Sequence, residues 1–425
     1  RVFRRRFYIL FLFSIISFAQ YCAWNTYGPI ATTAKTVFDW SNTEIAVLAS
    51  MDPITYLVTM LFFSWMMDVK GLRKSMLVST AFMFVGTGLR CVTPDSTYAI
   101  WTMGGGQLLN GLAGPVTQAA PPLLSAAWFP SHQRTTATAV AALCGSLGVA
   151  MSFVIGPAFV TDLSHTSPTS SECSIRTGVE MTGIATFRSL FGVITVLFLA
   201  VVIYFPDKPP LPPSHSARIQ REDFFAGTKR IVKNSSFWTL ALVYGITTGV
   251  YSGWGASLAV NLETFNVSQS AAGWLGFYAT LAGIGAGLIL ARCADLFGGR
   301  MKAILVVLFF GSSGCFLWFA LLCLRKIPYD SNSLYKSSIM GGFFVSGTIP
   351  LFYELTVEST YPVAEGVTCG LLTLVNNFFT VAFLVILTIP GVGTVWMNWC
   401  MFGACAAGIP IMLSFREKYR RLNID

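Results

Sequence analysis

Charge is what this sequence has least of. Only 11% of its 425 residues are Asp, Glu, Lys or Arg, and 54% are hydrophobic. Soluble domains carry about 25% charged residues, so the composition excludes an ordinary soluble fold and points to a polytopic membrane protein. Histidine is almost absent. His132, His165 and His215 are the three, and none falls inside an apolar run, which argues against a histidine-held haem or metal in a membrane site. The ten cysteines form no CxxC pair. Cys22, Cys144, Cys315 and Cys405 sit in apolar runs as small hydrophobes, while Cys91 and Cys173 leave one disulfide open. GxxxxGK[ST] is missing, so nothing points to ATP drive, and HExxH is missing as well. No nucleophile stands beside a base. The expectation is a non-enzyme without cofactor. No cleavable signal peptide is recognisable, and the start at Arg1 reads as a trimmed terminus.

What is present is long apolar runs. About 20 apolar residues cross the hydrocarbon core as a helix. Twelve such runs lie near 8–32, 44–66, 75–94, 98–123, 135–160, 184–205, 237–261, 271–292, 303–323, 337–356, 366–389 and 394–414. The expected fold is an all-α membrane protein with twelve transmembrane helices in two six-helix halves, 1–205 and 237–425. The linker 206–236 begins "PDKPPLPPS", a stiff extended exit. Its end, "REDFFAGTKRIVKN", reads as an amphipathic helix on the membrane surface.

The net charge of +9 marks loops rather than nucleic-acid binding. Arg4, Arg5, Arg6, Lys70, Arg73, Lys74, Arg134, the linker and the tail lie on one side. By the positive-inside rule both termini are cytoplasmic. Asn266, in Asn-Val-Ser, then faces the lumen or exterior as a glycosylation candidate.

The halves repeat. "DVKGLRK" (68–74) follows the second run and "DLFGGRMK" (295–302) the eighth. "WFPSHQR" (128–134) and "TYPVAEG" (360–366) follow the fourth and tenth. Two copies of an Asp-x-x-Gly-x-Arg loop at equivalent places resemble the signature of the major facilitator superfamily, with its parallel repeat. Gly71 and Gly298 suit tight turns. Asp68 with Arg73, and Asp295 with Arg300, read as charge clamps that break when the cytoplasmic gate opens. The alternative is a static surface cluster worth about 1 kcal/mol or less. Glu354 and Glu358 share a helix face, and Glu358 joins the gate set, with Arg292 or Arg300 as partner.

Polar groups at bilayer depth need a watery cavity or a neighbour. Trp24 and Asn25 read as cavity lining, with Gly28-Pro29 as a bend in helix one. Tyr27 is either lining or an interfacial aromatic. Gln107 and Asn110 share a face of helix four, and Tyr251 and Trp254 a face of helix seven. Asn376 and Asn377 lie mid-helix eleven. For each, an interhelical hydrogen bond is the alternative. Asp52, followed by Pro53, lies well inside helix two, where a carboxylate is costly and marks function by default. It and Glu354 are the candidate proton-coupling groups. Arg188 is either Asp52's partner or a snorkelling cation.

"WNTYGPI", "GTGLRC", "GQLLNGLAGP", "AGWLGF", "FYELTVESTYPVAEGVTCG" and "FREKYRRL" resemble solute carrier family 49, the feline leukaemia virus subgroup C receptor-related family, from about residue 2 to 423. The resemblance implies a lysosomal membrane transporter, with the plasma membrane as alternative. It implies proton-coupled export of pyridoxine, vitamin B6, to the cytosol. Choline or ethanolamine carriage is the alternative from within the family, where haem has also been proposed. A third possibility is a non-transporting receptor or nutrient sensor. The matching Trp in choline carriers looks like a cation–π wall. Where those relatives hold choline with two Gln, this chain has Gly114 and Asn377. Glu354 matches the family's Glu, whereas Asp52 stands where the family has an uncharged residue.

Overall fold

Backbone amides kept away from water must bond to each other, and within a membrane segment the helix does this locally. The computed structural model describes residues 4–31, 34, 40–92, 96–159, 172–210, 224–296, 300–328, 330–389 and 392–417, without a strand among them. The first half of the chain forms α1 (Arg5–Trp24), α2 (Asn42–Trp65), α3 (Leu72–Arg90), α4 (Ser96–Trp128), α5 (Arg134–Phe159) and α6 (Glu172–Ile203). The second forms α7 (Phe224–Val232), α8 (Ser235–Tyr244), α9 (Val250–Ala256), α10 (Leu258–Glu263), α11 (Gln269–Leu296), α12 (Met301–Cys323), α13 (Ser331–Thr360), α14 (Glu365–Ile386) and α15 (Val395–Ser414).

Each expected apolar run contains helical backbone among the described residues, although α1 ends at Trp24, inside the first run. Among the described residues, seven helices are long and apolar enough to cross a bilayer on their own. The run at 237–261 is not one helix: α8, a π turn at Gly245–Gly249, α9 and α10 follow one another. The amphipathic segment is α7. It turns Phe224, Gly227 and Ile231 inward and exposes Phe225, Lys229 and Arg230. Residues 211–223, including Arg218 and Arg221, lie outside the described residues.

Local signals explain the helix starts. Ser41 and Glu44 form a reciprocal capping box at α2, the arrangement that satisfies two orphan donors at once. Asn234 caps α8 and Asp330 caps α13 through their side chains. Gly71, at φ +92°, precedes α3 in a conformation that costs a Cβ-bearing residue.

The apolar core divides with the chain. One cluster runs from Ile9 to Phe205 within the first half. Two others belong to the second half, one of them joined by Tyr56 and Met60 of α2. The halves meet chiefly along α2 against α14 and α5 against α11, with α4 also packed on α14. In lipid such contacts rest on close van der Waals packing and interhelical hydrogen bonds rather than on apolar burial. Accordingly, a Cβ on Gly366 would stand 2.3 Å from Asp68 Oδ1, and one on Gly370 2.4 Å from Ser64 Oγ.

Candidate functional site

α1 ends at Trp24, in the middle of what reads as one span, and its last carbonyls need partners. A buried arginine supplies one. Arg90 of α3 is fully buried and donates to the Ala23 carbonyl at 2.9 Å. It also donates to Gln107 Oε1, and Gln107 Nε2 donates to the Trp24 carbonyl at 2.8 Å. A cation at a helix C-terminus also meets the negative end of the helix dipole.

Pro53 fixes the Trp24 ring. A proline inside a helix has no N–H for the carbonyl four residues back, which here is Ala49. The Trp24 indole N–H donates to that carbonyl at 3.0 Å. Pro122 of α4 repeats the device. It frees the carbonyl of Gln118, which accepts from the Tyr353 hydroxyl of α13 at 3.1 Å. Two prolines thus create two acceptors, each taken by an aromatic side chain from another helix.

Between the halves lies a cavity of about 150 Å³. Trp24, Tyr21, Phe153, Tyr244, Tyr251, Trp254 and Tyr353 give it aromatic walls. Asn25, Thr117, Gln118, Ser146, Thr248, Ser252, Thr280, Ser346, Thr373 and Asn376 give it amides and hydroxyls, and among the described residues no charged side chain lines it. Tyr251 stacks on Trp254 at 6.1 Å and 19° between planes. The Trp254 indole N–H donates to Asn398 Oδ1 at 2.9 Å, and Asn261 Nδ2 donates to the same oxygen at 2.8 Å. At the π turn, Thr248 Oγ1 accepts from Asn376 Nδ2 at 2.6 Å, and the Gly249 carbonyl from Thr380 at 3.0 Å. π turns concentrate at functional sites.

Asp52 stands one side chain behind the cavity. It is 3% exposed. Oδ1 accepts from Gln20 Nε2 at 2.9 Å and Oδ2 from Gln118 Nε2 at 3.0 Å. The network continues in both directions. Thr117 Oγ1 donates to Gln20 Oε1 at 3.3 Å, and Asn377 Nδ2 donates to Gln118 Oε1 at 2.9 Å. The second of these bonds crosses between the halves. Gly114 makes the room, since a Cβ there would lie 2.7 Å from Asp52 Oδ1 and 3.2 Å from Gln118 Nε2.

The end of the bundle at Asp68 is closed. Asp68 accepts from the backbone N–H of Gly366 at 3.2 Å and of Val367 at 3.0 Å, the first turn of α14. Ala364, the N-cap of α14, offers no side-chain acceptor, so the first half supplies the cap that the second lacks. Tyr56 and Ser64 donate to the carbonyls of Gly370 and Gly366 along the same contact. At the opposite end Gly28 meets the Ala256 carbonyl, 2.7 Å from where a Cβ would stand.

The structure gathers Trp24, Asn25, Tyr251, Trp254 and Asn376 around the cavity, and ties Asn377 to its wall through Gln118. Three expected lining residues lie elsewhere. Tyr27 packs with Trp40, Leu48 and Met103 beyond the end of α1. Gln107 is taken up by Arg90 and Trp24, and Asn110 donates to the Gln20 carbonyl at 3.3 Å. Each is consumed by the backbone of α1, whose carbonyls their shared face meets. Arg188 is exposed, as a snorkelling residue would be, and no contact with Asp52 is made.

Asp68, expected in a charge clamp, also caps α14. Arg73 is exposed, and its backbone N–H is capped by Asp207 at 3.1 Å. Arg292 and Arg300 are exposed, Glu358 is buried and Glu354 half-buried on α13, away from the cavity lining. The side chain of Asp295 lies outside the described residues. Asn266 is exposed at φ +60°, a left-handed conformation that Asn tolerates, beyond α10 on the Gly28 side. Cys91 is a free thiol that donates to the Thr87 carbonyl, and the Cys173 side chain is outside the described residues. No group of three or more His, Cys, Asp or Glu with metal-ligand geometry occurs among the described residues.

Sequence reasoning passed over Gln20, Gln118 and Arg90. The signal was available. Gln20 precedes Trp24 by one helical turn, and Asn110, Gly114 and Gln118 recur at i, i+4 and i+8, one face of α4.

The Major Facilitator Superfamily model matches residues 13–384. The Solute carrier family 49 member 4 homolog of Xenopus tropicalis is 39% identical over 433 residues, covering 100% of this chain and 94% of that relative. The Choline/ethanolamine transporter FLVCR1 of Mus musculus is 26% identical, over 99% of this chain and 77% of its own length. Among solved structures, FucP in its outward conformation superposes with a TM-score of 0.69 at 12% identity, over 98% of this chain and 100% of that one. At that identity the likeness shows the fold.

Proposed function

The chain belongs to the Major Facilitator Superfamily and, within it, to solute carrier family 49, and on that premise we propose that it exports a small, neutral, aromatic solute of the pyridoxine type together with protons. The observation that carries the reading is the wall chemistry. Seven aromatic side chains, with amides and hydroxyls between them and no charge, suit a flat polar ring that stacks and hydrogen-bonds. A volume of about 150 Å³ lies below the roughly 300–1,000 Å³ of drug-sized pockets, which favours a small solute and disfavours haem.

In this reading the twelve apolar runs are twelve spans, the termini and the Asp68 end are cytoplasmic, and the membrane is lysosomal. Asn266 then faces the lumen. Trp24, Asn25, Tyr251, Trp254 and Asn376 contact the solute. Asp68 is the cytoplasmic latch. Breaking two charge-assisted hydrogen bonds at a helix N-terminus opposes opening by about 1.5–3 kcal/mol each. Asp295 serves the same role in the second repeat, with Arg73, Arg300 and Glu358 around the gate.

Asp52 is the proton carrier in preference to Glu354, because it is fully enclosed, bonded to two neutral amides and adjacent to the cavity wall. Charging a group in such a place is costly, so an acidic lumen loads it and a neutral cytosol unloads it. Transport of labelled pyridoxine into proteoliposomes should rise as the lumenal side is acidified. Asp52→Asn should flatten that dependence, and an unchanged pH profile in this variant moves the proton elsewhere. A quaternary or primary amine of the choline and ethanolamine type is the second reading, favoured by the Trp24 and Tyr251 rings that line the cavity. Saturable choline flux without pyridoxine flux selects it. Binding of either without flux selects a sensor.

A further inference from the structure

We infer that Gln118 is the positioning residue that makes contact between the two halves depend on the ionisation of Asp52. The inference rests on the proton-carrier reading above and adds the route by which the proton is felt. Gln118 touches everything required. Its Nε2 donates to Asp52 Oδ2 at 3.0 Å, and its Oε1 accepts from Asn377 Nδ2 of α14 at 2.9 Å. Its backbone carbonyl, freed by Pro122, accepts from Tyr353 of α13 at 3.1 Å. The same residue lines the cavity.

The logic is one of donors and acceptors. An ionised carboxylate only accepts, so Asp52 fixes Gln118 with its NH2 toward the carboxylate and its C=O toward Asn377. A protonated Asp52 has one O–H to donate, and one neighbouring amide must be able to turn its oxygen inward. Gln118 then has two orientations where it had one. In the second, its NH2 faces the NH2 of Asn377 and the bond between the halves is lost. Protonation also removes the charge assistance that roughly doubles the strength of the Asp52 bond. Both effects act in the same direction: the proton weakens the tie between α4 and α14. Gln20, the other amide on Asp52, bonds only within the first half, to Thr117, so it does not carry the signal across.

Among the described residues nothing else charged competes. The titratable groups facing Asp52 from the packed helices are the phenols Tyr21 of α1 and, beyond it, Tyr353 of α13. No Lys, Arg, His or second carboxylate among the described residues acts on it. From α4 it meets Gly111 and Gly114.

The test reads conformation rather than flux. The full chain, reconstituted in liposomes, carries spin labels at exposed Lys74 and Lys229, one in each half, and the distance between them is measured at neutral and at mildly acidic pH. Acid should raise the open population at the Asp68 end in the parent by about fivefold or more, the lower range of ordinary coupling. Asp52→Asn should abolish the response. Gln118→Met and Asn377→Leu, two isosteric changes on opposite halves, should each reduce it to less than about half of the parental response. The response should return in the swap Gln118→Asn with Asn377→Gln. If Gln118→Met and Asn377→Leu both respond fully while Asp52→Asn does not, the route through Gln118 is wrong and the proton carrier stands. A full response in Asp52→Asn, or none in the parent, overturns the carrier and this inference together.

Discussion

Two carboxylates do the same chemistry at this end of the molecule with different reach. Asp68 caps the N-terminus of α14, which belongs to the other half. Asp207 caps the N-terminus of α3 within its own half, accepting from Arg73 N–H, and a Cβ on Gly71 would stand 2.5 Å from it. The second half mirrors this brace: Glu417 accepts from the Lys302 N–H of α12 at 2.5 Å. Lys302 Nζ in turn donates to the carbonyls of Leu413 and Phe415 at the end of α15. A helix N-terminus that lacks its own capping side chain recruits a carboxylate from elsewhere. What the carboxylate does for the protein depends on whether its two ends move together. Asp207, just past α6, and Glu417, just past α15, each brace a helix of the half they follow. Asp68 joins elements that must separate if the halves rock.

The comparison breaks most visibly at Asp68. Asp68→Ala should shift the balance toward the form open at this end by on the order of tenfold or more, from the loss of two charge-assisted bonds. Substrate flux against a gradient should fall with it, as read by labelled-pyridoxine transport and by label distances. Gly366→Ala reaches the same contact from the other side. Its Cβ would sit 2.3 Å from Asp68 Oδ1, so it should reproduce the shift with the carboxylate intact, and a parental balance in both variants removes the latch. Trp24→Ala comes next. It deletes one cavity wall and leaves Ala49 without its donor. Substrate affinity should weaken by about tenfold, in line with roughly 1–3 kcal/mol for a stacked aromatic contact and its hydrogen bond. Unchanged affinity in equilibrium binding rejects its place in the site. Asp207→Ala should cost about 1 kcal/mol of stability, as for other lost caps, seen as a lower midpoint of thermal unfolding in detergent. Transport per folded molecule should not change. Glu417→Gln should have the smallest effect, a few tenths of a kcal/mol, because a neutral acceptor remains. If either brace variant alters the conformational balance as Asp68→Ala does, the distinction between brace and latch fails.

Much of this was legible in the chain. Apolar runs of bilayer length gave the places of the helices, because a single span satisfies its own backbone, but not the early end of α1 at Trp24 or the break at Gly245–Gly249. The repeated hairpin pointed to the superfamily that the family model matches, and the oddity of Asp52 beside Pro53 marked a place where amides gather. The pairings were not legible. That Asp68 reaches the N-terminus of α14 in the other half follows from no charge pattern along the chain. Gln107 and Asn110 looked like lining because their face is polar, but that face meets the end of α1. Gln20 and Gln118 lie in small-residue, apolar surroundings where an amide draws little notice until a carboxylate is placed between them.

The sequence by itself determined that the chain is an all-helical membrane protein of the Major Facilitator Superfamily, since this follows from hydropathy and spacing along one chain. Only the tertiary structure decided what the polar side chains do. Their bonds join residues such as Gln118 and Asn377, or Asp68 and Gly366, that are hundreds of positions apart. A hydrogen bond is fixed by a few tenths of an ångström between helices, a length that no periodicity along one helix encodes.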